Sequence, residues 1–161
     1  MTPNDAIVHN LSISQMLLHR FVDDLTAPEF LHRTSPRANC VAWILGHLIQ
    51  TDRRALAALG VSDLPPLPDG FEQRFARDEA AAQASDFGDV STLMPLFDQY
   101  RSRLIQAIGR ATPEQLEKPV ETPRPMFKTA GEMANFMSLH SALHAGQITL
   151  IRRSLGKPPV T

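Results

Sequence analysis

The chain has 161 residues, with 16 Lys+Arg against 17 Asp+Glu and a formal charge of -1; a domain of this size can bury about 70% of its unfolded surface without a metal or disulfide, so residues 1–161 read as one domain and a metal would serve function rather than folding. No basic run offers a footprint for phosphate backbones, which sets nucleic acid aside, and the one cysteine, Cys40, allows no intrachain disulfide and reads as a small core residue. The N-terminus has neither a basic n-region nor an apolar h-region, and no apolar run approaches the ~20 residues of a spanning helix, so the reading is a soluble cytoplasmic protein with no membrane partner.

Thr2-Pro3-Asn4-Asp5 opens a helix with a candidate N-cap, proline in the first turn and early acidic charge. Ile7, Leu11, Leu18, Phe21 and Leu25 recur at helical spacing and carry it to about Thr26. After a loop with Pro28 and Pro36, the stripe Val41, Ile44, Leu45, Leu48, Ala55, Leu56 and Leu59 predicts a second amphipathic helix, ended by Gly60 as its C′ residue. Val61 to about Val90 holds Pro65-Pro66-Leu67-Pro68 and an alanine-rich segment, Phe71 to Ser85, that suits a short helix. Such a connection is too long for a tight antiparallel turn and predicts a crossover between parallel helices two and three.

The third helix starts at about Ser91, with Leu93, Phe97, Tyr100, Leu104, Ala107 and Ile108 on one face; Pro95 is tolerated only in the first turn. Thr112-Pro113-Glu114-Gln115 and Thr129-Ala130-Gly131-Glu132 read as capping boxes, separated by a proline-rich loop from Pro119 to Pro125. The last helix runs through Met133, Phe136, Met137, His140, Leu143, His144, Ile148, Ile151 and Leu155 to Gly156, with Pro158 and Pro159 beyond. Arg152 and Arg153 complement its dipole and read as solvated, or as contacts for an anionic substrate at the bundle mouth. No strand-like alternation appears, so the fold class is all-α.

At 100° per residue His140, His144 and Gln147 fall inside the sector of Met133, Phe136, Met137 and Ile151. Burying an unpaired polar group costs about 1–3 kcal/mol, so each needs a partner. A lone histidine on an apolar face is usually a core residue bonded to a carbonyl or hydroxyl. A second at i+4, and a third, His47, on the shoulder of another apolar stripe, favour a metal, because three imidazoles from two helices make an open tripod. The H-E-x-x-H protease pattern is absent, since Ser141 follows the first histidine, and so are paired Glu-x-x-His motifs; Glu29 to His32 falls in a predicted loop and reads as accidental. His9, His19 and His32 read as surface or structural. Gln147 is a candidate ligand-supporting or substrate-contacting residue. Tyr100 reads as a buried tyrosine with a bonded hydroxyl, or as a proton donor if it reaches the cavity, and Trp43 as packing.

Asn39 to Gly60, with Ala42-Trp43-Ile44-Leu45-Gly46-His47, and His140 to Gly156, with His140-Ser141-Ala142-Leu143-His144-Ala145-Gly146-Gln147-Ile148 and Arg152-Arg153-Ser154-Leu155-Gly156, resemble the two signature helices of the DinB-like superfamily. The resemblance implies a four-helix bundle of up-down-down-up topology, a homodimer, and a metal triad of His47, His140 and His144. Three imidazoles call for one divalent ion and suit zinc, nickel, iron and copper alike, with zinc or nickel first, and the resemblance links the chain to transferases and isomerases that use low-molecular-weight thiols such as mycothiol or bacillithiol. No further motif here assigns a thiol cofactor. A zinc-like ion could hold a thiolate for transfer or ionise water for hydrolysis of a small-molecule substrate, and a non-catalytic binding or dimerising bundle is the alternative.

Overall fold

A computed structural model of the chain describes residues 1–76, 84–121 and 126–160. Four long helices make the architecture: α1 (Pro3–Val22), α2 (Val41–Ala58), α3 (Leu93–Arg110) and α4 (Ala130–Ser154). Among the described residues there is no strand, only an isolated antiparallel bridge between Pro119 and Thr129. No helix there is long and apolar enough to cross a membrane.

The ends follow from local chemistry. Thr2 and Asp5 form a reciprocal capping box at the start of α1. α1 stops at Val22, short of the expected Thr26, because Thr26 is extended and caps the next helical turn, Ala27–Phe30, with Glu29 accepting from its N–H and hydroxyl. Glu29 therefore lies in a helical turn rather than the expected loop. Pro95 falls in the first turn of α3, after a 3-10 turn at Val90–Thr92. The Thr112 box closes as expected, whereas at α4 only half a box forms: Thr129 accepts from Glu132 N–H, but the Glu132 carboxylate accepts from Lys128 N–H. α2 and α4 both end in Schellman motifs on left-handed glycines, Gly60 (φ 86°) and Gly156 (φ 73°); Val61 N–H donates to the Leu56 carbonyl and Lys157 N–H to that of Arg152.

Side-chain bonds fix the helix directions. Asn4, opening α1, donates to the Ile108 and Ala111 carbonyls at the end of α3, while Gln15 and His19 reach Asp98 near the start of α3, so the two are antiparallel. Arg152, near the end of α4, donates to the Phe21 carbonyl near the end of α1, so these run parallel. Asn39 and His47 meet Gln147 and His140 in turn, so α2 and α4 are antiparallel. The order is up-down-down-up, with α2 and α3 parallel as the long connection requires. In the bundle, α1 and α2 each pack against both α3 and α4.

α2 is buried beyond its predicted stripe, because the crossover folds back over it: Ala42, Trp43, Gly46 and Ile49 join Val41, Ile44, Leu45 and Leu48 inside. The turn Phe71–Arg74 and Phe75 do this, with Phe75 lying so close to Gly46 that a Cβ there would be 2.1 Å from its ring. A 3-10 turn at Ala84–Phe87 adds Phe87, stacked on Phe75 at 5.5 Å. The rest of the alanine-rich segment, 77–83, lies outside the described residues, as does 122–125 of the Pro119 to Pro125 loop.

The centre of the bundle holds a feature absent from the sequence reading. Arg101 on α3 is fully buried and paired with fully buried Asp52 on α2, Nε to Oδ2 at 2.7 Å and Nη2 to Oδ1 at 2.9 Å. The same guanidinium donates to Ser14 Oγ on α1 (2.7 Å) and Ser141 Oγ on α4 (2.9 Å), so one side chain joins all four helices. Its carbon lies 4.9 Å from the centroid of the Phe97 ring. Burial pushes the Asp52 carboxyl up, and the Arg101 charge and hydrogen bonds pull it back.

Candidate metal centre

Helix geometry puts His140 and His144 one turn apart on α4, and His47 faces them from α2. His140 Nε2 lies 3.3 Å from His47 Nε2 and 3.1 Å from His144 Nε2. One ligand atom from each of the three fits within 4.8 Å of the others. His144 Nδ1 meets Gln147 Oε1 at 3.0 Å, and because a carbonyl oxygen only accepts, Nδ1 carries the proton and Nε2 presents a lone pair to the cluster. Asn39 Nδ2 donates to the same oxygen at 3.5 Å.

Aromatic faces hold the other two rings. Trp43, one turn before His47, stacks on it at 4.8 Å and 8° and donates its indole N–H to the Ala76 carbonyl. Phe136, one turn before His140, stacks on it at 5.7 Å and 18°. His140 Nδ1 is buried with no partner among the described residues. Burial, then the neighbouring imidazoles and Arg101, push His140 down to about 3, and burial lowers His144 against the opposing bond to Gln147. Both rings are neutral at pH 7, the form in which imidazole binds metals.

One ring nitrogen cannot satisfy two others by hydrogen bonding, since it holds either one proton or one lone pair. A shared cation would satisfy all three. Nitrogens bound tetrahedrally at about 2.0–2.1 Å from an ion stand about 3.4 Å apart; the pairs of His140 with His47 and His144, at 3.3 and 3.1 Å, are close to this, and the third pair of the cluster lies within 4.8 Å. The donor set thus fits a divalent ion and leaves a coordination position open.

The cluster lines a cleft of about 1270 Å³ between α2 and α4, bordered by Glu72 and Ala76 and by 118–121 with Met126 and Phe127. Met133, Met137 and Phe136 form its apolar wall, and Arg54, Lys118, Glu72 and Glu121 its charged groups. No residue of α1 or α3 lines it.

The sequence profile of the DinB superfamily matches residues 10–148. The chain belongs to the DinB superfamily. No curated protein matches it significantly. Among solved structures, this DinB-superfamily bundle is similar to YfiT from Bacillus subtilis, described as a probable metal-dependent hydrolase with an unusual four-helix bundle topology. The TM-score is 0.71 at 15% identity, covering 96% of this chain and 89% of that one.

Within this DinB-superfamily chain the other predicted residues separate clearly. Gln147 lines the cleft and holds His144. Tyr100 does not line it; its hydroxyl donates to the Pro65 carbonyl, the buried, bonded tyrosine of the two readings. Arg152 is not solvated but buried, donating to the Phe21 carbonyl and paired with Asp24, while Arg153 is exposed and neither lines the cleft. His9 is exposed, His32 meets Ser154 Oγ at 2.9 Å, and His19 bridges Asp23 and Asp98. Trp43, expected only to pack, supports His47; its i, i+4 spacing from that histidine was the signal available.

Proposed function

We propose that His47, His140 and His144 hold one divalent ion, zinc or nickel, and that the protein is a metal-dependent enzyme that hydrolyses a small molecule. The observation carrying this reading is the convergence of three imidazole nitrogens on the wall of a cleft of small-molecule size. The description of YfiT as a probable metal-dependent hydrolase supports the hydrolytic direction. An ion held by three imidazoles supplies an open position at which water becomes acidic near pH 7, or a thiol is kept as thiolate. Gln147 fixes the His144 tautomer, so Nε2 is the donor atom. Trp43 and Phe136 hold the His47 and His140 rings and keep water from their faces.

Metal analysis of protein purified without a His-tag tests the site: near one ion per chain is expected, lost in His144→Ala. Less than about a tenth of an ion, unrecovered with added zinc or nickel, overturns it. Turnover of ester and amide panels without any thiol supports hydrolysis. Turnover only with mycothiol, bacillithiol or glutathione replaces it with S-transfer, and tight metal with no turnover replaces it with a binding module.

We also infer a homodimer through the outward row Leu139, Leu143 and Leu150 of α4, exposed at 58%, 66% and 59% and on one helical face. Light scattering should give a dimer that Leu143→Glu dissociates; a monomeric wild type refutes it.

A further inference from the structure

The cleft is chemically different along its length. On α2, His47, Thr51, Arg54 and Ala58 line it at helical spacing. Arg54 is therefore seven residues from His47 on the same face, about 10 Å along the axis at 1.5 Å per residue. Because α4 runs antiparallel and pairs His140 with His47, the stretch facing Thr51 and Arg54 is Met137 to Met133, which line the opposite wall. Lys118 belongs to this same end, since its carbonyl accepts from Ala130 N–H at the start of α4 (2.9 Å). The opposite end is neutral, lined by Asn39 and Gln147.

Charge at the cationic end is not cancelled locally. Glu72 is engaged by Arg53. Arg54 and Lys118 form no ion pair among the described residues, and Glu121 is the remaining lining carboxylate, as it too forms none there. Two cations, Arg54 on α2 and Lys118 in the segment before α4, thus line this end of the cleft with one remaining carboxylate, beyond the methionines that separate it from the histidines.

We propose that the cleft takes a small molecule with an anionic group, carboxylate or phosphoryl, held by Arg54 and Lys118 about 10 Å from the reacting bond at the histidine cluster, its apolar middle lying along Met133 and Met137. The inference rests on the metal-site reading and adds the class of substrate. An arginine fork pairs with either anion in two parallel hydrogen bonds, a lysine adds a point charge, and methionines adapt to varied apolar chains.

Hydroxamates, which chelate through their head group, test this on the zinc-loaded protein by calorimetry. The probes are octanohydroxamate, the same chain ending in a carboxylate, and the same chain ending in a phosphonate. One charged probe should bind at least tenfold tighter than the neutral one, which also identifies the anion, and the preference should shrink as salt rises. Arg54→Gln should abolish the preference and Lys118→Gln weaken it, while both variants bind octanohydroxamate and zinc as the wild type does. Equal affinity for all three probes, or a preference that survives Arg54→Gln, overturns the proposal and leaves the metal site standing. If no hydroxamate binds better with zinc than without it, the metal-site reading fails and this proposal with it.

Discussion

Asp52→Asn should be among the most damaging single substitutions in this protein. Both carboxylate oxygens accept from Arg101, at 2.7 and 2.9 Å, and both residues are fully buried. The amide keeps the shape but removes the countercharge and turns one acceptor into a donor facing the guanidinium. Two charge-assisted bonds at about 1.5–3 kcal/mol each set the scale. The measured cost of leaving one partner of a buried ion pair uncompensated, about 3–5 kcal/mol, agrees. For a chain of this size that is a fall in Tm of about 10 °C. Replacing both partners with apolar residues, Asp52→Leu with Arg101→Met, should recover most of the loss, because Ser14 and Ser141 keep their own bonds to the Leu11 and Met137 carbonyls. Urea unfolding followed by circular dichroism reads Asp52→Asn, the double variant and its two singles, Asp52→Leu and Arg101→Met. A loss under about 1 kcal/mol for Asp52→Asn, or a double variant as unstable as the singles summed, would refute the reasoning.

Gly46→Ala should destabilise by about 1–3 kcal/mol despite its better helix propensity, because the new methyl meets the Phe75 ring; Phe75→Ala in the same chain should remove the penalty, read as urea midpoints. Gly156→Ala, where nothing lies within 4 Å, should cost only the left-handed backbone, roughly 1 kcal/mol, and an unchanged midpoint would contradict that assignment. Burial lowers His19, but its bonds to Asp98 and Asp23 outweigh this and raise it overall. The folded state therefore holds that proton more tightly, and the stabilisation is present below about pH 6.5 and lost as pH rises through the raised value. The stability gap between wild type and Asp98→Asn should be wider at pH 6 than at pH 8.5. Zinc at a hundredfold excess over its Kd should add about 2.7 kcal/mol of stability, and none in His144→Ala.

What sequence reasoning reached were features carried by local chemistry. Thr2 and Thr112 cap where the pattern places them, Gly60 and Gly156 close their helices, and the i, i+4 spacing puts His140 and His144 side by side. Thr26 misled because the apolar spacing through Leu25 outlasts the helix, while Thr26, Pro28 and Glu29 favour a fresh start. Arg152 carries the ordinary signature of a helix end, and the approach of Asp24, in the turn after α1, together with the Phe21 carbonyl makes its burial tolerable. Arg101, four residues after Phe97, and Asp52, between Leu48 and Leu56, sit visibly on apolar faces. Their pairing across 49 residues depends on how the helices assemble, which one-dimensional periodicity does not encode.

Only half of the bundle meets the cleft: of the four long helices, α2 and α4 line it, while α1 and α3 supply none of it. Scaffold and chemistry are therefore separable in heredity as well as in space. Apart from the Arg101 charge, which bears on His140, changes on α1 or α3 reach the cleft through stability, which has a threshold and tolerates small losses. Changes at Arg54, Met133 or Met137 alter what fits while leaving the four-helix junction at Arg101 intact. A laboratory seeking new substrates could leave two helices untouched and randomise a few positions on the other two.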